Sequence, residues 1–228
     1  MIRHKNSEKI LICLPTFHSE LFWLERAIKS IQSQTYENFD CYIVKDSCNK
    51  LKIPCLECEN CKESINYCEL TCSKDKRFKF FNLPINCGGA GWGPRNFAIM
   101  NTKNNLIAYL DDDNWYEPEH LRLLLDALTN NGADMAYTGS RIINTDNKVI
   151  HKRIHPYLPK QGYIDTSEIL HKRFLFEKYG GWQWVPKGND WDIVSRWIPN
   201  LKWAHTNQIT VNFYLRENCG VHREEIQI

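Results

Sequence analysis

The sequence predicts an α/β protein whose central sheet is mixed but mainly parallel and flanked by helices. Three observations carry that expectation. Short apolar runs of strand length recur along the chain, amphipathic helical patterns separate several of them, and no repeat or low-complexity tract interrupts the alternation. Strands alternating with helices imply βαβ units, with helices on both faces of the sheet.

The elements follow in order. "KILICL" (9–14) reads as the first strand. "ELFWLERAIKSIQSQ" reads as a helix, with Leu21, Leu24, Ile28 and Ile31 on one face. "DCYIVK" (40–45) and "RFKFFNL" (77–83) are the next two strands, and a cysteine-rich stretch lies between them. "GPRNFAIM" starts a helix with proline in its first turn, and "LIAYL" (106–110) is a further strand. "EPEHLRLLLDALTNNG" aligns Leu121, Leu124, Leu125 and Leu128, with Pro118 suited to its first turn and Gly132 to its stop. "DMAYTGS" (134–140) is another strand, and from about residue 141 the pattern loosens and becomes rich in aromatic and basic residues. That part is expected to add a mixed sheet edge and loops over the strand ends, where ligands of open α/β sheets sit. Its stretch "HKRIHPYLPKQGY" would suit an acidic glycan or form a solvated basic surface.

The 228 residues, 43% hydrophobic, fit residues 1–228 folding as one domain with a Cys-rich insertion at about 48–76. A formal net charge of +2 gives no reason to expect nucleic acid or an anionic membrane as the main partner. "ILICLP" is far too short for a membrane span or a secretory signal, and no later stretch is long enough for a transmembrane segment, so the chain reads as cytoplasmic. Ten cysteines pull the other way, but five of them crowd into residues 55–72. Clustering points to a local metal site more than to a disulfide framework.

"IAYLDDDNWYEPEHL" sets an apolar strand against Asp111, Asp112 and Asp113. Carboxylates at a strand's carboxyl end suit Mg²⁺ or Mn²⁺ bridged to a diphosphate. If the chain stays extended there, Asp111 and Asp113 share one face and Asp112 points away. The alternative is a solvated turn capping the helix after Pro118.

Four segments in order carry a resemblance. "ILICLPTFHSELFWLERAIKSIQSQTYENFDCYIVKDS", "NCGGAGWGPRNFAIMNTKNNLIAYLDDDNWYEPEHL", "RFLFEKYGGWQW" and "GNDWDIVSRW" resemble the family 2 glycosyltransferases, inverting enzymes of the GT-A (nucleotide-diphospho-sugar transferase) fold, from about residue 9 to 218. The resemblance implies metal-dependent transfer of a sugar from a nucleotide-sugar donor, a UDP-sugar favoured, to a hydroxyl of a glycan or glycoconjugate. It places Pro15, Thr16, Asp46, Gly89, Arg95, Asp111, Asp112, Trp182 and Arg216 around the donor, with Lys45 where the family more often has an acid. Asp111 and Asp113, with His205 as a third ligand, would hold the ion. Asp190 is the candidate base and Asp192 the alternative, while Asn189 stands where the family usually has the first acid of a pair. Trp182 and Trp184 are the tryptophans expected to touch sugar. A sugar nucleotidyltransferase and a catalytically silent nucleotide- or glycan-binding module are the competing readings.

Cys55, Cys58, Cys61, Cys68 and Cys72 contain overlapping C-x-x-C units. Four of these five, with Cys48 a further candidate, could hold structural Zn²⁺; an iron–sulfur cluster, a disulfide-linked loop or reduced thiols are the alternatives.

Overall fold

The structure, a computed structural model, describes residues 8–48, 59–89, 91–185 and 188–216. Its elements are β1 (Ile10–Thr16), α1 (Leu21–Gln32), β2 (Phe39–Lys45), α2 (Glu59–Lys74), β3 (Phe78–Asn82), α3 (Trp92–Met100), β4 (Leu106–Tyr109), β5 (Trp115–Tyr116) and α4 (His120–Asn130). They continue with β6 (Met135–Ile143), β7 (Val149–Arg153), β8 (Ile169–Lys172), α5 (Arg173–Tyr179), α6 (Asn189–Trp197) and β9 (Trp203–Tyr214). The described strands form one sheet in the order β3-β2-β1-β4-β8-β6-β9-β5, with β7 beside β6.

β1 pairs in parallel with β2 and β4, and β2 in parallel with β3. β8 runs antiparallel to both β4 and β6, which makes the second half of the sheet mixed. β9 then joins β6 in parallel, and β5 closes the edge antiparallel to β9.

Side-chain alternation along β1 builds two cores. Ile10, Ile12 and Leu14 join Leu24, Ile28 and Ile31 of α1 and Leu121, Leu124 and Leu128 of α4. Leu11 and Cys13 face Ala98 and Ile99 of α3, Leu175 of α5, and Ile193, Val194 and Trp197 of α6. Each fully buried Leu or Ile contributes about 1.5–3 kcal/mol of transfer free energy, so both layers hold firmly to the sheet. Leu21 lies off the buried stripe of α1, and Pro118 falls in the bend before α4, its carbonyl accepting from Thr35 N at 2.9 Å.

Among the described residues of the cysteine-rich insertion, Glu59–Lys74 form the helix α2. Cys61, Ile65 and Cys68 are buried along one side of α2, and Cys68 and Cys72 pack on the core beneath α1. Cys55 and Cys58 lie outside the described residues. Among the described residues no helix is long and apolar enough to cross a membrane.

Candidate active site

The parallel strands β1, β2 and β4 all end on the same side, and their carboxyl ends form the floor of the site. Extended geometry stops at Tyr109: Asn114 N closes a turn on Asp111 O at 3.0 Å. The three acids therefore do not alternate as a strand would make them. Asp111 pairs with Arg95 of α3, whereas Asp112 and Asp113 both turn toward Arg216, at 3.7 and 2.9 Å. Fully buried Asn114 fastens the turn, accepting from Tyr214 N at 3.0 Å and donating to Ser167 Oγ at 3.3 Å.

Burial raises the pKa of Asp112, while the Thr16 and Ser19 hydroxyls and Arg216 pull it down. Phe17 N also donates to its Oδ2 at 3.4 Å. Burial first, then Asp112 and Asp111, push Asp113 up to about 7, with Arg216 opposing. Arg26 was not evident from the sequence. It donates to Asp113 O at 2.7 Å and lies 3.5 Å from the Trp115 ring centroid, with Trp23 and Tyr214 also against it. Its site signal is weak because an arginine on an amphipathic helix reads as a solvated one.

The second floor segment is Pro15, Thr16 and Asp46. Asp46 N donates to Thr16 O at 2.9 Å, which joins the ends of β1 and β2. The Asp46 side chain is buried, which raises its pKa, and its Oδ1 accepts from Cys87 N at 2.9 Å and Ser47 N at 3.1 Å. The glycine-rich loop crosses above. Gly91 has φ of 70°, and a Cβ there would stand 3.1 Å from Pro15 Cβ, so both conformation and space require glycine. Gly89 lies beneath the indole edge of Trp184.

The opposite wall is the start of α6 and the turn before it. Asn96 donates to Trp182 O at 2.8 Å and accepts from Trp182 N at 3.0 Å, pinning this turn to α3. Trp182 is 3% exposed and packs under the Arg95 guanidinium, 4.7 Å from ring centroid to Cζ. The expectation that it touches sugar is corrected by that burial: it positions Arg95. Trp184 is 61% exposed and keeps an open face.

The two acids of α6 separate. Asp190 shares an electrostatic neighbourhood with Asp111, Arg153 and Arg95, and burial raises its pKa. Asp192 is held by Arg196 at 2.9 Å, itself bonded to the carbonyls of Tyr179 and Gly181. Beneath Asp190 lies a group that sequence reasoning missed. Arg153 pairs with fully buried Glu168 at 3.0 Å and lies 3.9 Å from Asp165. Arg153 is therefore committed inside the protein, unlike its exposed neighbours His151 and Lys152. The available signal was "YIDTSE", a capping box in which Asp165 accepts from Ser167 N and Glu168 accepts from Asp165 N.

His205 does not join the aspartates. It accepts from Asn207 N at 2.9 Å and packs on Tyr137, its partner in register, while the aspartate turn meets β9 at Tyr214. Six residues of β6 separate those registers, roughly 20 Å of strand. Strand geometry thus excludes His205 as a ligand beside Asp113.

The cysteine set is also revised. Cys61 and Cys68 stand seven positions apart on α2, roughly 10 Å along its axis, too far to share one ion. The aspartate turn itself fits a divalent cation. It offers hard oxygens, and burial together with the nearby Asp112 and Asp111 raises the proton affinity of Asp113, a cost that a bound cation would offset.

Residues 11–184 match the sequence profile described as Glycosyl transferase family 2, and the chain belongs to that family. It is a glycosyltransferase with the GT-A fold. It is 25% identical over 201 residues to the O-antigen biosynthesis glycosyltransferase WbnJ of Escherichia coli, covering 84% of this chain and 74% of that one. It is 31% identical over 121 residues to the putative colanic acid biosynthesis glycosyl transferase WcaA of Escherichia coli strain K12, covering 53% of this chain and 38% of that one. The fold matches S. aureus TarS 1-349 in complex with UDP-GlcNAc with a TM-score of 0.70 at 14% identity, covering 93% of this chain and 60% of that one.

Proposed function

We propose that the protein transfers a sugar from a nucleotide-sugar donor, a UDP-sugar favoured, to a hydroxyl of a glycan or glycoconjugate with inversion at the anomeric carbon. The observation that supports this reading is that Asp190 lies within electrostatic reach of Asp111 and of Arg95, the ion-pair partner of Asp111. A TarS complex with UDP-GlcNAc and the O-antigen relative support the choice of donor and acceptor class.

In this reading Asp46 and the turn at Pro15 and Thr16 face the base, and the loop at Gly89 and Arg216 face the diphosphate. Arg95 fixes Asp111 through their ion pair. Asp190, its proton affinity raised by burial, takes the proton of the acceptor hydroxyl as that oxygen bonds to the anomeric carbon. The bond to the nucleotide diphosphate breaks on the opposite face and its electron pair leaves with the phosphate oxygen. Asp111 and Asp113 would hold Mn²⁺ or Mg²⁺, which when bound offsets the charge gathering on that oxygen.

A thermal-shift panel of nucleotide sugars with and without Mn²⁺ tests the reading. A matching donor at a hundred times its Kd stabilises the native state by about 2.7 kcal/mol and raises the melting temperature, more so with the ion. A panel in which no nucleotide sugar moves the melting temperature, with or without Mn²⁺, speaks against it.

A further inference from the structure

We propose that His18, Cys48 and Cys61 are three ligands of a structural Zn²⁺ ion that clasps the cysteine-rich insertion to the loop after β1. Their ligand atoms lie within 4.8 Å of one another, and among the described residues they are the only such group of histidine, cysteine and acid side chains. Cys48 Sγ is 3.0 Å from Cys61 Sγ and 3.9 Å from His18 Nδ1. Two thiolates and an imidazole form the donor set that zinc prefers.

Three separate segments supply them: the loop between β1 and α1, the chain just after β2, and the first turns of α2. Nothing in the spacing of residues 55–72 reveals His18, because only folding brings it there. Bonds of about 2.3 Å at tetrahedral angles set two zinc-bound sulfurs about 3.8 Å apart, so loading widens the 3.0 Å pair by about 0.8 Å and releases the thiol protons. The fourth position is left to water or a further protein ligand.

The surroundings are suited to thiolates. Lys45, 2% exposed at the end of β2, donates to Cys48 Sγ at 3.3 Å. This gives the lysine standing in place of an acid a purpose: its ammonium supports a metal-bound sulfur. His18 sits at φ of 49°, an uncommon conformation for a residue with a Cβ, and the Phe17 ring packs edge-on against its imidazole. Ser64 of α2 donates to Ser19 O at 3.1 Å, tying the helix to the same loop. Cys68 and Cys72 lie further along α2 against the core and take no part.

The test is zinc content of the whole protein purified under reducing conditions without added metal, with cobalt titration of chelator-treated protein. About one zinc per chain is expected, and tetrahedral cobalt with thiolate charge-transfer absorption on titration. His18→Ala, Cys48→Ser and Cys61→Ser should each lose most of the metal, while Cys68→Ala and Cys72→Ala retain it. Zinc-free wild type that gives no cobalt–thiolate absorption overturns the proposal, and the cobalt titration needs no variant to fold. Metal retained in the Cys48→Ser/Cys61→Ser double variant overturns it as well. So does a non-reduced mass lacking both thiol hydrogens, with a Cys48–Cys61 disulfide.

Discussion

The carboxylates at the end of β4 and those beneath α6 are the same chemical groups in opposite circumstances. Asp111, Asp112 and Asp113 meet two arginines, Arg95 and Arg216. Asp165, Glu168 and Asp190 share one buried arginine, Arg153. The first group can be balanced by a cation arriving with the donor. In the second, burial raises all three proton affinities around the one arginine, as burial also raises Asp112 and Asp113 in the first. Environment, more than residue type, separates the acids proposed to hold the ion from the one proposed to take the proton.

The largest effect should come from Asp190→Asn, which removes the proton acceptor and keeps the shape. Turnover should fall about 10²–10⁴-fold while donor affinity, measured by calorimetry, stays within a few-fold. Asp192→Asn breaks only a partly exposed pair within one helix, worth about 0.3–0.5 kcal/mol before screening, and should keep nearly all turnover. Equal losses in the two variants would erase the distinction drawn between them.

Arg153→Met tests the buried half through stability. It leaves Glu168 without its cation inside the protein, and the urea midpoint should report a loss of about 3–5 kcal/mol. Adding Glu168→Gln should restore part of it, because the penalty belongs to the unpaired charge. A near-neutral Arg153→Met would mean that water already reaches the group.

The same half predicts a pH dependence. Burial pushes Asp165 up to about 8, with Arg153 pulling it down and Asp111 and Asp190 adding to the rise. In the unfolded chain its pKa returns to about 4. Between these values the folded state binds a proton that the unfolded state has released, so this group makes stability fall as pH rises from about 4 to about 8. Asp165→Asn should flatten that part of a plot of unfolding free energy against pH. An unchanged slope would assign the dependence to other groups.

The two halves also differ in how far the sequence foretold them. β1, β2 and β4 are short apolar runs whose alternating sides fill two cores, so their number, order and covering helices were legible. Motif spacing also singled out the aspartates and Asp190, and folding brings Asp190 within electrostatic reach of Asp111. The turn that splits Asp111 from Asp112 and Asp113 was not legible, since it depends on Asn114 reaching Tyr214 at the far end of the chain. Arg153 and Glu168 were hidden for the same reason: their pairing is set by the β6–β7 and β6–β8 registers. In α2 the cysteines drew attention as ligands together, whereas Cys68 and Cys72 continue the buried side of Ile65 at helical spacing and pack on the core. Cysteine there behaves largely as a small apolar residue.

The smallest expected effect lies at Trp184. Its indole edge covers Gly89, and its exposed ring can stack on a sugar, whereas buried Trp182 can only support Arg95. Trp184→Ala should change stability by no more than about 0.5 kcal/mol, as surface substitutions do. Loss of an aromatic contact worth about 0.5–1.5 kcal/mol should weaken the nucleotide sugar roughly threefold to tenfold. Binding of the bare nucleoside diphosphate should not change, and Trp184→Phe should recover part of the loss. Equal weakening of both ligands would mean that the ring acts through the Gly89 loop on the phosphates. In that case the open face of Trp184 has no bearing on the sugar, and other side chains must make that contact.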